Sequence, residues 1–371
     1  MSTAVRITDG VLADGRAIRW YDRPGAPARD GDHDRRDLPP RPAGHRMRHD
    51  PGLDEWVSIS AHRQDRTFLP ADDACPLCPS HGDYLTEVPS PDYEVVVFDN
   101  RFPSFAGPVD LADDAGAGAA DALLHEAAAG GRCEVVCFTD AHDTLQADLD
   151  NDRLDLVIAA LADRTRELSG VLGVRQVFPF ENSGEAIGVT LRHPHGQVYG
   201  YPFVTPRLAR AVDVARAHRA RTGRVLADDV VAAELADGSR VVHADEHWVA
   251  FVPYAARYPV EVHLYPRRRV PDLAALDSEA RDALPRVYGA LLRAGHAFYG
   301  IALPSIVAWH QAPVREDDGR DEVALHLELT SVQRAPDKLK YLAGSESAMG
   351  AFINDRAPEQ TAERLREVWP G

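Results

Sequence analysis

Residues 192–203 read RHPHGQVYGYPF, Arg192 to Phe203. Side chains alternate along an extended chain, so His193 and His195 project to the same side. Pro194 removes a backbone donor and stiffens the link between them. Gly196 then lets the backbone come close to a ligand, and Gln197 places an amide donor beside the second imidazole. An unperturbed imidazole is largely neutral near pH 7, and one presented rigidly suits nucleophilic attack on phosphorus. The plain alternative is two histidines hydrogen-bonded at a strand end, but the whole string favours the nucleophile.

Outward from this string, strands are expected at Val174–Phe180, Ile187–Leu191 and Gln197–Tyr201. Asn151–Leu168 sets Leu154, Val157, Ile158, Leu161 and Leu168 at helical spacing, with acidic residues in its first turn. Tyr93–Phe98 (YEVVVF) and Arg132–Phe138 (RCEVVCF) are strands by their β-branched and aromatic content. The second half repeats the order: a strand at Pro259–Tyr265, a helix over 278–299, then strands at Ser305–Trp309 and Val323–Thr330. Glu134-Val135-Val136-Cys137-Phe138 matches Glu261-Val262-His263-Leu264-Tyr265, and His193-Pro194-His195 and His326-Leu327-Glu328 end the two units. Such a long repeat predicts a duplicated α+β unit and not a solenoid. Residues 21–50 lack periodicity and read as an extended arm. Residues 106–131, rich in Ala, Gly and Asp, read as a surface insertion.

Composition narrows the function. The chain has 371 residues, enough for about two domains at ~150 residues each. Lys and Arg number 41 against 58 Asp and Glu, a formal charge of −17 that disfavours a general nucleic-acid or anionic-membrane binder. Met1–Gly10 lacks the apolar stretch of a signal peptide, and runs such as Leu156–Ala162 are too short to span a bilayer. Four cysteines do not make a disulfide framework, so a cytoplasmic protein with reduced thiols is expected. Cys75 and Cys78 have the spacing of a zinc or redox pair, and the redox reading lacks a neighbouring βαβ pattern. A zinc nucleobase deaminase would need His-x-Glu before Pro-Cys-x-x-Cys. Here His326-x-Glu328 follows the cysteines, and Ala74 precedes Cys75.

The string at 192–203 is one of several in a recognisable order: WVSISAHRQDR (Trp56–Arg66), CPLC (Cys75–Cys78), FDNRFPSF (Phe98–Phe105), RCEVVCFTDAH (Arg132–His142), FENSGEAIGVTLRHPHGQ (Phe180–Gln197), EHWVAFVPY (Glu246–Tyr254), AWHQAP (Ala308–Pro313) and LKYLAGSESAMG (Leu339–Gly350). From about Arg48 to Val368 the chain resembles the galactose-1-phosphate uridylyltransferase family, a branch of the histidine-triad superfamily. The resemblance implies two tandem histidine-triad-like domains, each an antiparallel sheet with packed helices. The expected division is an N-terminal arm at 1–47, a catalytic domain at 48–205 and a second domain at 206–371.

It implies, further, His195 as the nucleophile that carries a uridylyl group, with Gln197 donating to the phosphoryl oxygens. Cys75, Cys78, His142 and His193 become the ligands of a structural zinc; a closed four-ligand site leaves no position for an activated water. Arg63 and Arg66 match residues that reach the diphosphate, and Asn100, Arg101 and Phe102 those that hold uridine. Asn182, Gly188, Val189 and Thr190 match the surroundings of the phosphoryl group, with Thr190 where many relatives have serine. Lys340, Tyr341, Gly344, Ser345 and Glu346 match the hexose-phosphate loop, Ser345 standing where relatives often have an aromatic. Lys338 and Lys340 are the chain's only lysines.

Some relatives bind a second metal with a glutamate and three histidines. His310 and His326 match two of these, Glu328 replaces the third, and the glutamate's place falls near Ala211. Two imidazoles and a carboxylate can still ligate a metal. The departures argue against it, and zinc alone is expected. The expected partners are a nucleotide sugar and a hexose 1-phosphate, with a homodimer in which Arg63 and Arg66 reach the partner's site. The competing enzyme is a phosphorylase of an ADP-sugar or a dinucleoside polyphosphate using the same histidine. A zinc-stabilised binding protein would lack a reactive nucleophile.

Overall fold

A computed structural model describes residues 5–39, 44–60, 70–109 and 123–370. Arg63, Arg66 and the middle of the expected 106–131 insertion lie outside these residues. The unit around the histidine string forms as its periodicity dictates. Strand β7 (Arg132–Cys137) leads through a loop to helix α1 (Asn151–Ser169), then to strands β8 (Gln176–Ser183) and β9 (His195–Tyr201). Asp150 caps α1 by accepting from Arg153 N–H at 2.7 Å. Leu154, Val157, Ile158 and Leu161 are buried against the sheet, each contributing roughly 1.5–3 kcal/mol.

Upstream lie β1 (Arg6–Val11), β2 (Ala17–Asp22), β3 (Arg46–Asp50), β4 (Glu55–Ile59), β5 (Val95–Asp99) and β6 (Glu126–Ala128). Downstream come α2 (Pro206–Thr222), α3 (Leu226–Asp237), β10 (Val241–Ala244), β11 (Trp248–Phe251), β12 (Val260–Pro266), α4 (Ser278–Tyr299), β13 (Ser305–His310) and β14 (His326–Ser331). The chain ends with β15 (Gln333–Ala335), β16 (Lys338–Leu339), α5 (Gly344–Met349) and α6 (Pro358–Val368). The main sheet runs β1-β2-β5-β7-β9-β8-β13-β14-β12-β11-β10, antiparallel at every junction. The order β5-β7-β9-β8 in one half is repeated by β11-β12-β14-β13 in the other, and β8 pairs with β13 at the seam. The same connectivity and order in both halves are what a duplicated unit produces.

Both long helices lie on one face of this sheet, in a single apolar core with Val136, Val177, Val198, Val307, Leu327 and Leu329. The alternate residues, His195, Gln197 and Tyr199 among them, therefore look out from the opposite face.

Four expectations are corrected. The matched glutamates are out of phase: Glu134 faces α1, where Arg164 donates to it twice at 2.8 Å, whereas Glu261 is on the other face with His263. Ile187–Leu191 is not a strand, because Gly184 (φ +87°) and Gly188 (φ +82°) enclose a single 3-10 turn. The first 47 residues are more than an arm, since β1 and β2 join the main sheet and bury Ile18, Trp20 and Tyr21. The end of the expected insertion supplies β6, which pairs with β3 and buries Ala127.

Candidate active site and metal centre

His195 opens β9, paired with Cys137 of β7. Its Nδ1–H donates to the carbonyl of His193 at 2.7 Å, which leaves the Nε2 lone pair pointing away from the backbone. Burial lowers the pKa of the imidazole, although the His193 carbonyl opposes the shift. The ring is thus neutral at pH 7 and locked in one tautomer, the state a nitrogen nucleophile needs.

Gln197 comes next on the same face. The Tyr199 hydroxyl donates to Gln197 Oε1 at 3.2 Å, so the amide NH₂ is the end left to meet a ligand. Tyr199 was missed in the sequence, although its position two residues along the strand placed it beside Gln197. Gly196 does not face a ligand. A Cβ there would lie 2.8 Å from Phe138 Cζ and 3.0 Å from the Phe180 carbonyl, so glycine is required by internal packing.

Behind His195, Cys75, Cys78, His142 and His193 offer four ligand atoms within 4.8 Å of one another. The Nδ1 atoms of His142 and His193 lie 3.4 and 3.5 Å from Cys78 Sγ. His193 Nε2–H donates to the Thr139 carbonyl at 2.7 Å, and the Tyr93 hydroxyl lies 2.8 Å from the same nitrogen. That fixes Nδ1 as the unprotonated, ligand-facing atom. Burial lowers the His193 pKa to about 4, so the ring is neutral. The thiols are free of disulfides. Two sulfurs and two imidazoles in one compact group suit a tetrahedral metal ion.

The chain leaves β5 through Asn100, Arg101 and Phe102, with Asn100 N–H bonded to the Cys133 carbonyl at 2.8 Å. Asn100 Oδ1 accepts from Phe102 N–H at 2.8 Å, and the Arg101 guanidinium lies 5.7 Å from the Phe102 ring centroid. Val135 pairs with both Phe98 and Gln197, so this turn adjoins the row that holds Gln197. Asn182 is half-buried on β8, and Gly188, Val189 and Thr190 follow in the loop leading to His193. Lys340 is buried, 3.4 Å from Glu346 at the start of α5, while Tyr341 is exposed. Lys340, Gly344, Ser345 and Glu346 thus gather with one another at the start of α5.

A second cluster lies further along the open face. His310, His326 and Glu328 have ligand atoms within 4.8 Å of one another, and the His310 and His326 rings stack at 4.9 Å. Both Glu328 oxygens accept from Arg207 at 2.7 Å. The carboxylate therefore already has a cation, and a metal would have to compete with that guanidinium.

Two family models, the N-terminal and C-terminal domains of galactose-1-phosphate uridyl transferase, match residues 39–205 and 211–369. The chain belongs to the galactose-1-phosphate uridylyltransferase family. The Streptomyces lividans galactose-1-phosphate uridylyltransferase is 45% identical, over 96% of this chain and 96% of its own. The Thermotoga maritima family member is 32% identical, over 87% of this chain and 98% of its own. A solved uridylyltransferase aligns with a TM-score of 0.76 at 30% identity, covering 87% of this chain and 98% of that one. An ADP-glucose phosphorylase from Arabidopsis thaliana, at 20% identity and a TM-score of 0.64, shares the fold. In this member of the galactose-1-phosphate uridylyltransferase family, the histidine string is set on an antiparallel sheet shared by two like halves. No helix among the described residues is long and apolar enough to cross a membrane.

Proposed function

We propose that this chain exchanges UMP between UDP-glucose and galactose 1-phosphate through a uridylyl group held on His195. The carrying observation is the Nδ1–H bond to the His193 carbonyl, which presents a neutral imidazole with its Nε2 lone pair free. Nε2 attacks the α-phosphorus of UDP-glucose; a P–N bond forms, and the P–O bond to glucose 1-phosphate breaks. The His193 carbonyl then faces the Nδ1–H of a positively charged ring and stabilises it. A phosphate oxygen of galactose 1-phosphate attacks the same phosphorus, releasing UDP-galactose and restoring Nε2. Dividing one displacement into two lets a single site serve both sugars. Gln197 donates to a non-bridging oxygen as charge shifts.

Asn100, Arg101 and Phe102 take the uridine, and Asn182 with Gly188, Val189 and Thr190 surrounds the phosphoryl group. Lys340, Tyr341, Gly344, Ser345 and Glu346 take the hexose phosphate, and Arg63 and Arg66 complete the diphosphate contacts, across a homodimer. Cys75, Cys78, His142 and His193 would hold zinc, which ties their loops to the strand presenting His195. Cysteines outside any disulfide suit a reducing, cytoplasmic setting. The ADP-sugar reading shares the nucleophile, and the family match does not favour it.

Intact mass after mixing the protein with UDP-glucose alone decides the matter. One added uridylyl mass per chain and about one equivalent of released glucose 1-phosphate are expected, since no second substrate resets the histidine. An unchanged mass with no sugar phosphate released would overturn the reading. An adenylyl adduct formed equally well from ADP-glucose would move it to the phosphorylase.

A further inference from the structure

Arg16 lies in the turn between β1 and β2, upstream of residue 39 where the family model begins, and its side chain is fully buried. Every arm of its guanidinium is used. Nε donates to both Asp14 oxygens at 2.9 and 2.7 Å, Nη1 to the Asp99 carbonyl at 2.9 Å and Nη2 to Glu87 Oε2 at 2.5 Å. Asp99 is the last residue of β5, and Asn100, Arg101 and Phe102 follow it directly. Ala17 N–H lies 3.4 Å from Asp99 Oδ2, so the same turn holds Asp99 by side chain and main chain.

Glu87 carries the link further. Arg36, also upstream of residue 39, contacts it at 2.9 Å, and Arg101 lies 3.9 Å from the same oxygen. The backbone N–H of Glu87 bonds to the Pro76 carbonyl at 2.9 Å, inside the Cys75–Cys78 loop. One buried carboxylate therefore receives two arginines from the N-terminal segment and one from the nucleotide turn. A planar guanidinium fork holds a carbonyl and a carboxylate at fixed angles, which a lysine cannot do.

We infer that Arg16, with Arg36, is a positioning residue for nucleotide binding: the N-terminal segment braces the turn Asn100–Phe102 through the Asp99 carbonyl and Glu87. The brace rests on the uridine role proposed above for that turn. In a ping-pong enzyme uridine enters with UDP-glucose and is already in place when the hexose phosphate arrives. Loss of the brace therefore lowers kcat/KM for UDP-glucose and spares that for galactose 1-phosphate.

The test compares Arg16→Lys with Arg19→Gln. The second variant loosens the same hairpin, through Asp9 and Asp163, without touching the turn. For Arg16→Lys, kcat/KM for UDP-glucose should fall about tenfold, the size of one charge-assisted hydrogen bond lost, with galactose 1-phosphate unaffected. Its preference for UDP-glucose over ADP-glucose should narrow, and Arg19→Gln should match the parent in both constants. If Arg16→Lys does not fold, Arg36→Lys is read in the same way. A folded variant with the parent's kcat/KM for UDP-glucose overturns the brace. So does an equal fall in both constants in Arg16→Lys and Arg19→Gln, which marks a purely structural part. Failure of the unmodified protein to release glucose 1-phosphate instead overturns the reaction itself.

Discussion

His195 has its tautomer set by a backbone carbonyl, so among the described residues no carboxylate takes the place of an orienting partner on Nδ1. The carbonyl belongs to His193, whose own ring lies with Cys75, Cys78 and His142, so the proposed nucleophile and the proposed zinc site meet at one residue. Gln197 differs from His195 in that its role depends on which end of a neutral amide is presented, and Tyr199 decides that end. Gln197→His should leave the uridylyl adduct able to form but slow its transfer, since a donor at a developing phosphoryl charge is worth ~3–4 kcal/mol, or about 10²–10³-fold. Single-turnover transfer from the isolated adduct to galactose 1-phosphate measures this; transfer at the parent rate would remove Gln197 from the mechanism.

Strand β9 is where residue chemistry becomes geometry. Gly196 lies between two residues of the site and packs its bare Cα against Phe138 and the Phe180 carbonyl. Gly196→Ala should push β9 away from β8, destabilise the fold by ~1–3 kcal/mol and lower activity in the fraction that remains folded. Urea unfolding with parallel assays checks both effects, and parent-like values in both would show that the strand yields freely. The strand itself was legible because its chemistry is contiguous in sequence, as were α1 and α4 from their apolar spacing. The loop at 184–190 was misread because Ile187 and Val189 look β-like, while Gly184 and Gly188 bend the chain. Hairpin β1–β2 was missed for a different reason. Asp9, Arg16, Arg19 and Asp22 break up its apolar pattern, and each has an ionic partner that only the folded chain supplies.

At the scale of the molecule, the seam between the halves carries a buried carboxyl. Glu181 pairs through β8 with Val307 of β13 and is hydrogen-bonded to Gln146 and to Tyr288 of α4. Burial pushes its pKa up to about 8, against the opposing effect of those bonds. In the unfolded chain the group titrates near ~4.3. The folded protein thus holds a proton that the unfolded chain gives up between these values. Its stabilising contribution is complete below ~4.3 and is lost as pH rises through about 8, a change on the order of a few kcal/mol. Urea midpoints at pH 6 and pH 9 should therefore fall less in Glu181→Gln than in the parent; parallel falls would show that another group sets the slope. The duplicated connectivity at this scale was legible from element order, but its phase was not, because Glu134 and Glu261 occupy opposite faces. The hairpin that supplies Arg16 also has a solubility consequence. Strand β5, Val-Val-Val-Phe-Asp, is buried along its length and pairs with β2 on the side away from β7. A chain shortened to the family model would expose that ladder of unpaired amides and carbonyls beside apolar side chains, an open edge ready to add a strand from another molecule. The N-terminal segment thus covers that ladder and moves the edge of the sheet out to β1, whose residues are half-exposed or exposed.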